Sequence, residues 1–318
     1  MTAWSDAAIP DLRGRRAIVT GGNGGIGAWT ALQLAAHGAD VVIAARNPRK
    51  AEAAAAEIRG YVPRAQVETS VLDLADLASV RAFAEREARV GRPLDLLVNN
   101  AGVAVTPYGH TKDGFETQFG VNHLGHFALT GLLLPCLLSA AAPRVVAVSS
   151  DATRRARMRF DDLQGERHYE RWPAYAQSKL ANLLFVRELA RRAERAGSAL
   201  VVVAAHPGLA ATGLGSGFGA PKWAESLATT TLTWIADPPG RGALPTLYAA
   251  TVDVPGGGYW GPGKRGEGPV PAPFPEAALD VAAAERLWEI SEELTGVRFD
   301  ALTAPRRKRR RRPAADKG

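Results

Sequence analysis

Sulfur is scarce in this chain. Its 318 residues hold one cysteine, Cys136, and two methionines, so no intrachain disulfide can form and a reducing, cytoplasmic setting is expected. Cys136 follows Leu132-Leu133-Leu134-Pro135 and reads as a buried helix residue, not a reactive thiol. Long apolar runs are missing as well. The most apolar stretch, Phe127 to Ala142, is shorter than the roughly 20 residues a membrane span needs and contains Pro135, so a core helix is expected there. Met1 to Asp11 lacks a basic start followed by an apolar core, and neither a signal peptide nor a transmembrane anchor is expected. His123, His126 and His206 have no carboxylate or thiolate cluster at ligand spacing, which leaves them as packing or loop residues and predicts no metal.

The body of the chain also lacks any excess of charge. Formal charge is +7 and the pI is near 9.8, yet Arg306, Arg307, Lys308, Arg309 to Arg312 and Lys317 stand against Asp316 alone at the C-terminus. Taking those eight bases from 39 and that acid from 32 leaves 31 of each sign before residue 305. The expectation is one domain over 1–304 and a disordered basic tail over 305–318. Such a tail would hold phosphates without sequence preference and in a salt-dependent way, so no specific nucleic-acid partner is expected. With 46% hydrophobic residues and seven tryptophans, the body has enough apolar surface for a large core, which excludes disorder throughout.

Short apolar runs alternate with helical stretches. Ala17 to Val19, Val41 to Ala44, Val67 to Leu72, Leu94 to Val98, Arg144 to Val148 and Leu200 to Ala204 read as strands. Between them Ile26 to His37, Pro48 to Arg59, Leu77 to Val90, Gly114 to Ser139 and Pro173 to Ala196 read as helices. This rhythm predicts an α/β fold, a doubly wound parallel sheet of about seven strands with helices on both faces, the Rossmann arrangement. Tyr259-Trp260 supplies the seventh strand. Helices are also expected over Trp223 to Ile235, Arg241 to Thr251 and Glu276 to Thr295, with a glycine-rich substrate lid over 213–236.

Three constellations carry chemistry. Gly21-Gly22-Asn23-Gly24-Gly25-Ile26-Gly27 follows a strand and enters a helix, where backbone amides receive a pyrophosphate. The second strand then ends in Ala44-Ala45-Arg46, without the carboxylate an NAD site offers the ribose; Arg46, with Arg49 and Lys50 near, suits a 2′-phosphate. Finally, Tyr175 and Lys179 stand four residues apart, on one helix face. An ammonium there is expected to lower the phenol's pKa from roughly 10 towards neutrality and make it a usable acid or base.

The chain resembles the short-chain dehydrogenase/reductase family, and within it the branch of retinol dehydrogenases and related carbonyl reductases. The resemblance runs from about Asp11 to Thr212 through ordered blocks: Thr20 to Gly27, Asp73-Leu74, Asn99-Asn100-Ala101-Gly102, Thr111 to Glu116, Asn122 to Phe127, Ser149-Ser150, Tyr175 to Asn182 and His206-Pro207-Gly208. It implies NADP(H), with NAD(H) left open, and a small carbonyl or alcohol substrate. Tyr175 would be the general acid/base, Lys179 would lower its pKa and hold the nicotinamide ribose, Ser150 would bind the reacting oxygen, and Asn122 would support reprotonation. For the cofactor it implies Gly21, Asn23, Gly25, Ile26, Gly27 and Arg46, then Asp73 and Leu74 at the adenine, Asn99, Ala101 and Gly102 beneath the ribose, and Pro207, Gly208 and Thr212 at the nicotinamide. Asp73 also reads as a helix cap.

Relatives of this kind form homodimers or homotetramers. The branch's membrane-bound retinoid enzymes carry an N-terminal hydrophobic segment without counterpart in Met1 to Asp11, so a substrate other than retinol is expected. Arg154, Arg155, Arg157 and Arg159 read as a solvated basic loop or a receiver of acidic substrate. Two other functions fit parts of the pattern. A silent dinucleotide-binding sensor would keep the glycine loop without needing Asn122, Ser150, Tyr175 and Lys179, all occupied here by competent residues. Nucleotide-sugar epimerases share the tyrosine–lysine spacing but carry a larger C-terminal part than the stretch after Gly208.

Overall fold

The computed structural model describes residues 4–208, 239–264 and 267–303. Eight strands form one sheet: β1 (Arg16–Thr20), β2 (Asp40–Ala45), β3 (Val67–Val71), β4 (Leu96–Asn99), β5 (Arg144–Val148), β6 (Val201–Ala205), β7 (Tyr259–Gly261) and β8 (Val270–Pro271). Their order is β3-β2-β1-β4-β5-β6-β7-β8, parallel throughout except for antiparallel β8. The chain winds outward from β1 in one direction and from β4 in the other. That reversal opens a crevice at the C-terminal ends of β1 and β4, where doubly wound sheets bind ligands.

Side-chain alternation divides the core between the two faces. Ile18, Leu97, Val145 and Val202 pack on one side with α3 (Leu77–Val90), α4 (Gly125–Leu138), α5 (Arg171–Arg195) and α7 (Val281–Thr295). Val19, Val98, Val146 and Val203 face α1 (Gly25–Ala36), α2 (Pro48–Tyr61) and α6 (Pro239–Thr251) on the other. Because strands with both faces covered need no polar alternation, each reads as an unbroken apolar run.

Helix starts follow cap chemistry. Asn47 accepts from the Lys50 amide to open α2, and Asp76 accepts from Ala78 and Ser79 to open α3. The helix expected over Glu276 to Thr295 is two, Glu276–Leu279 and α7, because Asp280 stays extended and caps the Ala283 amide. The expected helix from Gly114 starts at Thr117, on a cap from the Glu116 carboxylate, and passes through a π turn, Gly120–Leu124, into α4. This run, Thr117–Leu138, has the length and composition of a membrane span, but 72% of its most apolar window is buried inside the fold. β8 is an eighth strand beyond the seven expected; two residues are too few for alternation to show, and Pro271 is tolerated at the sheet's edge. The expected lid over 213–236, the helix over 223–235, Thr212 and the tail over 305–318 lie outside the described residues.

Candidate active site

The glycine loop leaves β1 at Gly21, whose amide donates to the Ala44 carbonyl at 2.8 Å. Its φ is +65°, and an added Cβ would lie 3.0 Å from the Ala101 Cα. At Gly27 a Cβ would overlap the Gly21 carbonyl and the Asn100 amide, so loop, α1 and the end of β4 close on one another. These residues fit a pyrophosphate: Gly25, also at positive φ, begins α1, whose first-turn amides have no side-chain cap from Gly24. Asn23 is half-buried beside them and Ile26 is buried.

Arg46 stands exposed one residue beyond β2, with Arg49 and Lys50 exposed at the start of α2. No carboxylate lies between Ala44 and Lys50. Asp73 keeps its own turn, accepting from the Ala75 amide at 3.0 Å while its amide donates to the Ser79 hydroxyl. The helix cap is Asp76 instead, which removes the cap reading of Asp73. Leu74 is buried, its carbonyl so close to Gly125 that only glycine fits there. Asn99 is buried and donates to the Thr130 hydroxyl, while its own Oδ1 has no partner among the described residues.

Thr20 and Asn100 were not among the expected site residues, yet they join the loop to the site. The Thr20 hydroxyl accepts from the Asn100 and Ala101 amides at 2.9 and 3.0 Å, and Asn100 Nδ2 donates to the Thr20 carbonyl at 2.8 Å. His126 completes the link. Its Nδ1 lies 3.0 Å from the Asn122 carbonyl, which can only accept, so Nδ1 carries the proton and Nε2 accepts from the Thr20 hydroxyl at 2.9 Å. Burial lowers the His126 pKa to about 4 and keeps that tautomer neutral. Asn122 and His126 stand one turn apart, the one trace of this link visible in the chain.

Of the four expected catalytic residues, Asn122 and Lys179 meet beside Gly102, and Tyr175 lies one turn before Lys179. Tyr175, 7% exposed, lies on the first turns of α5, and Ser150, two residues beyond β5, is near enough for its hydroxyl to act on the phenol's pKa. Lys179 lies one turn on, with Nζ donating to the Val148 carbonyl at 3.1 Å and standing 6.0 Å from the centre of the Tyr175 ring. Asn122 accepts from the Val103 amide at 2.8 Å and donates to the Val103 carbonyl and the Ser178 hydroxyl, each at 2.9 Å. A Cβ on Gly102 would press on both Asn122 Oδ1 and Lys179 Nζ. The two serines part company here, because the Ser149 hydroxyl donates to the Lys179 carbonyl at 2.9 Å and is buried.

The electrostatics correct one expectation. Burial raises the Tyr175 pKa, with the Ser150 hydrogen bond working the other way, so the net direction is up where the helical spacing predicted down. Burial also lowers Lys179 to about 8, which thins the positive charge meant to act on the phenol. The phenol therefore keeps its proton through neutral pH.

At the next strand end the Gly208 amide, at φ +68°, donates to His206 Nδ1 at 3.2 Å and so fixes the Pro207-Gly208 turn. Arg159, in the expected basic loop, is tied to Asp162 and the His168 carbonyl, and Arg154 to Asp151, while Arg155 and Arg157 are exposed. Among the described residues no three His, Cys, Asp or Glu side chains gather.

The short chain dehydrogenase family model matches residues 15–222. Human retinol dehydrogenase 13 is 43% identical over 302 residues, covering 92% of this chain and 87% of that protein. A crystal structure of an uncharacterized protein from Mycobacterium Paratuberculosis is 43% identical, with a TM-score of 0.78, over 94% of this chain and 99% of that one. A short chain dehydrogenase from Shigella flexneri, complexed with NADP, is 27% identical with a TM-score of 0.59, over 76% of this chain and 93% of its own.

Proposed function

This chain belongs to the short-chain dehydrogenase family, and on that premise we propose that it is an NADP(H)-dependent oxidoreductase interconverting a ketone or aldehyde with the matching alcohol. The observation that carries the reading is the meeting of Tyr175, Ser150, Lys179 and Asn122 at the same sheet edge as the glycine loop. A buried phenol that keeps its proton at neutral pH is a donor, so Tyr175 gives that proton to the carbonyl oxygen in reduction and takes it back in oxidation. Ser150 is a second donor to the same oxygen and stabilises its developing charge. Ser149, committed to the Lys179 carbonyl, has no part in this.

When bound, the nicotinamide supplies or accepts the hydride. Lys179 would hold its ribose, and Asn122, which fixes Val103 and Ser178 around that ammonium, would support reprotonation of Tyr175. Gly21, Asn23, Gly25, Ile26 and Gly27 would receive the pyrophosphate, Asp73 and Leu74 the adenine side, Asn99, Ala101 and Gly102 the ribose side, and Pro207 and Gly208 the nicotinamide end. NADP(H) is favoured because Arg46 is exposed just past the end of β2, in a stretch from Ala44 to Lys50 that holds no carboxylate. Replacing Tyr175 with Phe should lower NADPH-linked carbonyl reduction by about 10²–10⁴-fold, as loss of a general acid does. NADPH affinity, read by fluorescence titration, should stay within about twofold; full turnover in the variant would refute the assignment.

A further inference from the structure

One turn before Asn122, a second buried amide plays no part in the proton chemistry above. Gln118 is wholly buried, and its side-chain oxygen and nitrogen are both engaged. Its Oε1 accepts from the Val105 amide at 2.7 Å, and its Nε2 donates to the Tyr169 hydroxyl and the Arg171 carbonyl, each at 2.9 Å. The Tyr169 hydroxyl in turn donates to the Thr106 carbonyl at 2.9 Å. One side chain therefore joins the loop after β4 to the first residue of α5.

What it joins is unusual on both sides. Val105 has φ +55°, the one non-glycine in the left-handed region among the described residues. For a β-branched residue that is a true outlier, and such strain persists only where surrounding structure holds it. Here the holding group is Gln118. On the other side, Trp172 directly follows Arg171 and is 58% exposed, although its ring lies 5.8 Å from that of Tyr175. Residues three apart share a helix face, so this indole stands beside the phenol with most of its apolar surface free.

Building on the oxidoreductase reading, we infer that Gln118 is a positioning residue that holds the first turn of α5 against the strained Val105 loop, so that Trp172 presents its ring to the planar, apolar part of a carbonyl substrate whose oxygen reaches Tyr175. The chemistry this selects is an aryl ketone over a small aliphatic one. Gln118 touches neither substrate nor reacting atoms; it acts through Val105 and Trp172.

The test compares kcat and KM for acetophenone and for butanone, with NADPH, in the full chain and in three variants. Trp172→Ala and Gln118→Leu should each lower the acetophenone-to-butanone ratio of kcat/KM by tenfold or more, mainly through KM for the aryl ketone. NADPH affinity within twofold of the parent shows that each variant is folded. Val105→Gly, which relieves the backbone, should raise the Tm and still lower the ratio. An equal loss on both ketones in Gln118→Leu, or a raised Tm with unchanged ratio in Val105→Gly, overturns the inference by leaving only a structural role. Should Gln118→Leu not fold, an unchanged ratio in Trp172→Ala overturns it independently. If the parent chain binds NADPH but turns over neither ketone nor any other carbonyl, the oxidoreductase reading falls and takes the inference with it; turnover confined to non-aromatic carbonyls sinks the inference alone.

Discussion

Tyr175 and Lys179 have their pKa values moved in opposite senses by one cause, burial, and their order sets a pH profile. The phenol is raised above its ordinary value while the ammonium is lowered to about 8. Both groups therefore carry their protons at pH 7, the form needed to reduce a carbonyl. Above about 8 Lys179 loses its charge first, so the reductive kcat should fall across that limb. In Lys179→Met the limb should disappear from what activity remains, measured from pH 6 to 10; a limb that persists would assign it to another group. Specificity has an equally local test. Arg46→Asp should shift the NADPH-to-NADH preference by about tenfold or more towards NADH, since a guanidinium–phosphate pair is replaced by a carboxylate suited to a free ribose hydroxyl. A ratio that does not move removes Arg46 from the phosphate. Ser150 came only through the family resemblance, whereas the spacing of Tyr175 and Lys179 was legible because it is short-range pattern. The direction of the phenol's shift was not, for it depends on burial by segments distant in the chain. Thr20, Asn100 and Gln118 were missed for the same reason: their hydrogen bonds join residues up to 106 positions apart or act on backbone groups, which have no sequence signature.

Individual elements show where local signals suffice and where they stop. Strands buried on both faces were legible as apolar runs, and Asn47-Pro48 and Asp76 mark helix starts by their own chemistry. The break at Asp280 and the π turn at Gly120–Leu124 were not read, the first because apolar spacing continues across it, the second because a π turn carries no apolar period of its own. β1 also begins one residue earlier than its apolar run, at Arg16. This arginine is 3% exposed and pairs with buried Glu87 of α3 at 2.6 Å, while its amide donates to Asp95. Removing one partner strands a charge in the interior, so Arg16→Met should cost about 3–5 kcal/mol in urea unfolding. Replacing Glu87 as well, with Leu, should recover much of that loss; a single variant within about 1 kcal/mol of the parent would show that the pair is solvated.

At the scale of the whole molecule, acid sensitivity follows from two histidines in the core. His123 and His126 are fully buried on the helical run through α4, and burial lowers their pKa values from 6.5 to about 3 and about 4. His123 donates from Nε2 to the Ser291 hydroxyl, whose own proton goes to the Leu287 carbonyl, and so ties this run to α7. His126 bridges Thr20 and Asn122 across the site. Below pH 6.5 the unfolded chain takes a proton at each position while the folded chain does not. Stability must then fall with pH, by up to about 1.4 kcal/mol per pH unit for each histidine. By pH 5 the loss is about 2 kcal/mol per residue, or about 4 together, before the carboxylates held below their usual range, such as Asp76, begin to contribute. Urea unfolding at pH 7, 6 and 5 measures this slope. His123→Asn should lower stability at pH 7 but reduce the slope by about one proton, because the destabilising protonation of the unfolded state is gone. A slope equal to the parent's would mean that His123 is already protonated, or reaches water, in the folded chain.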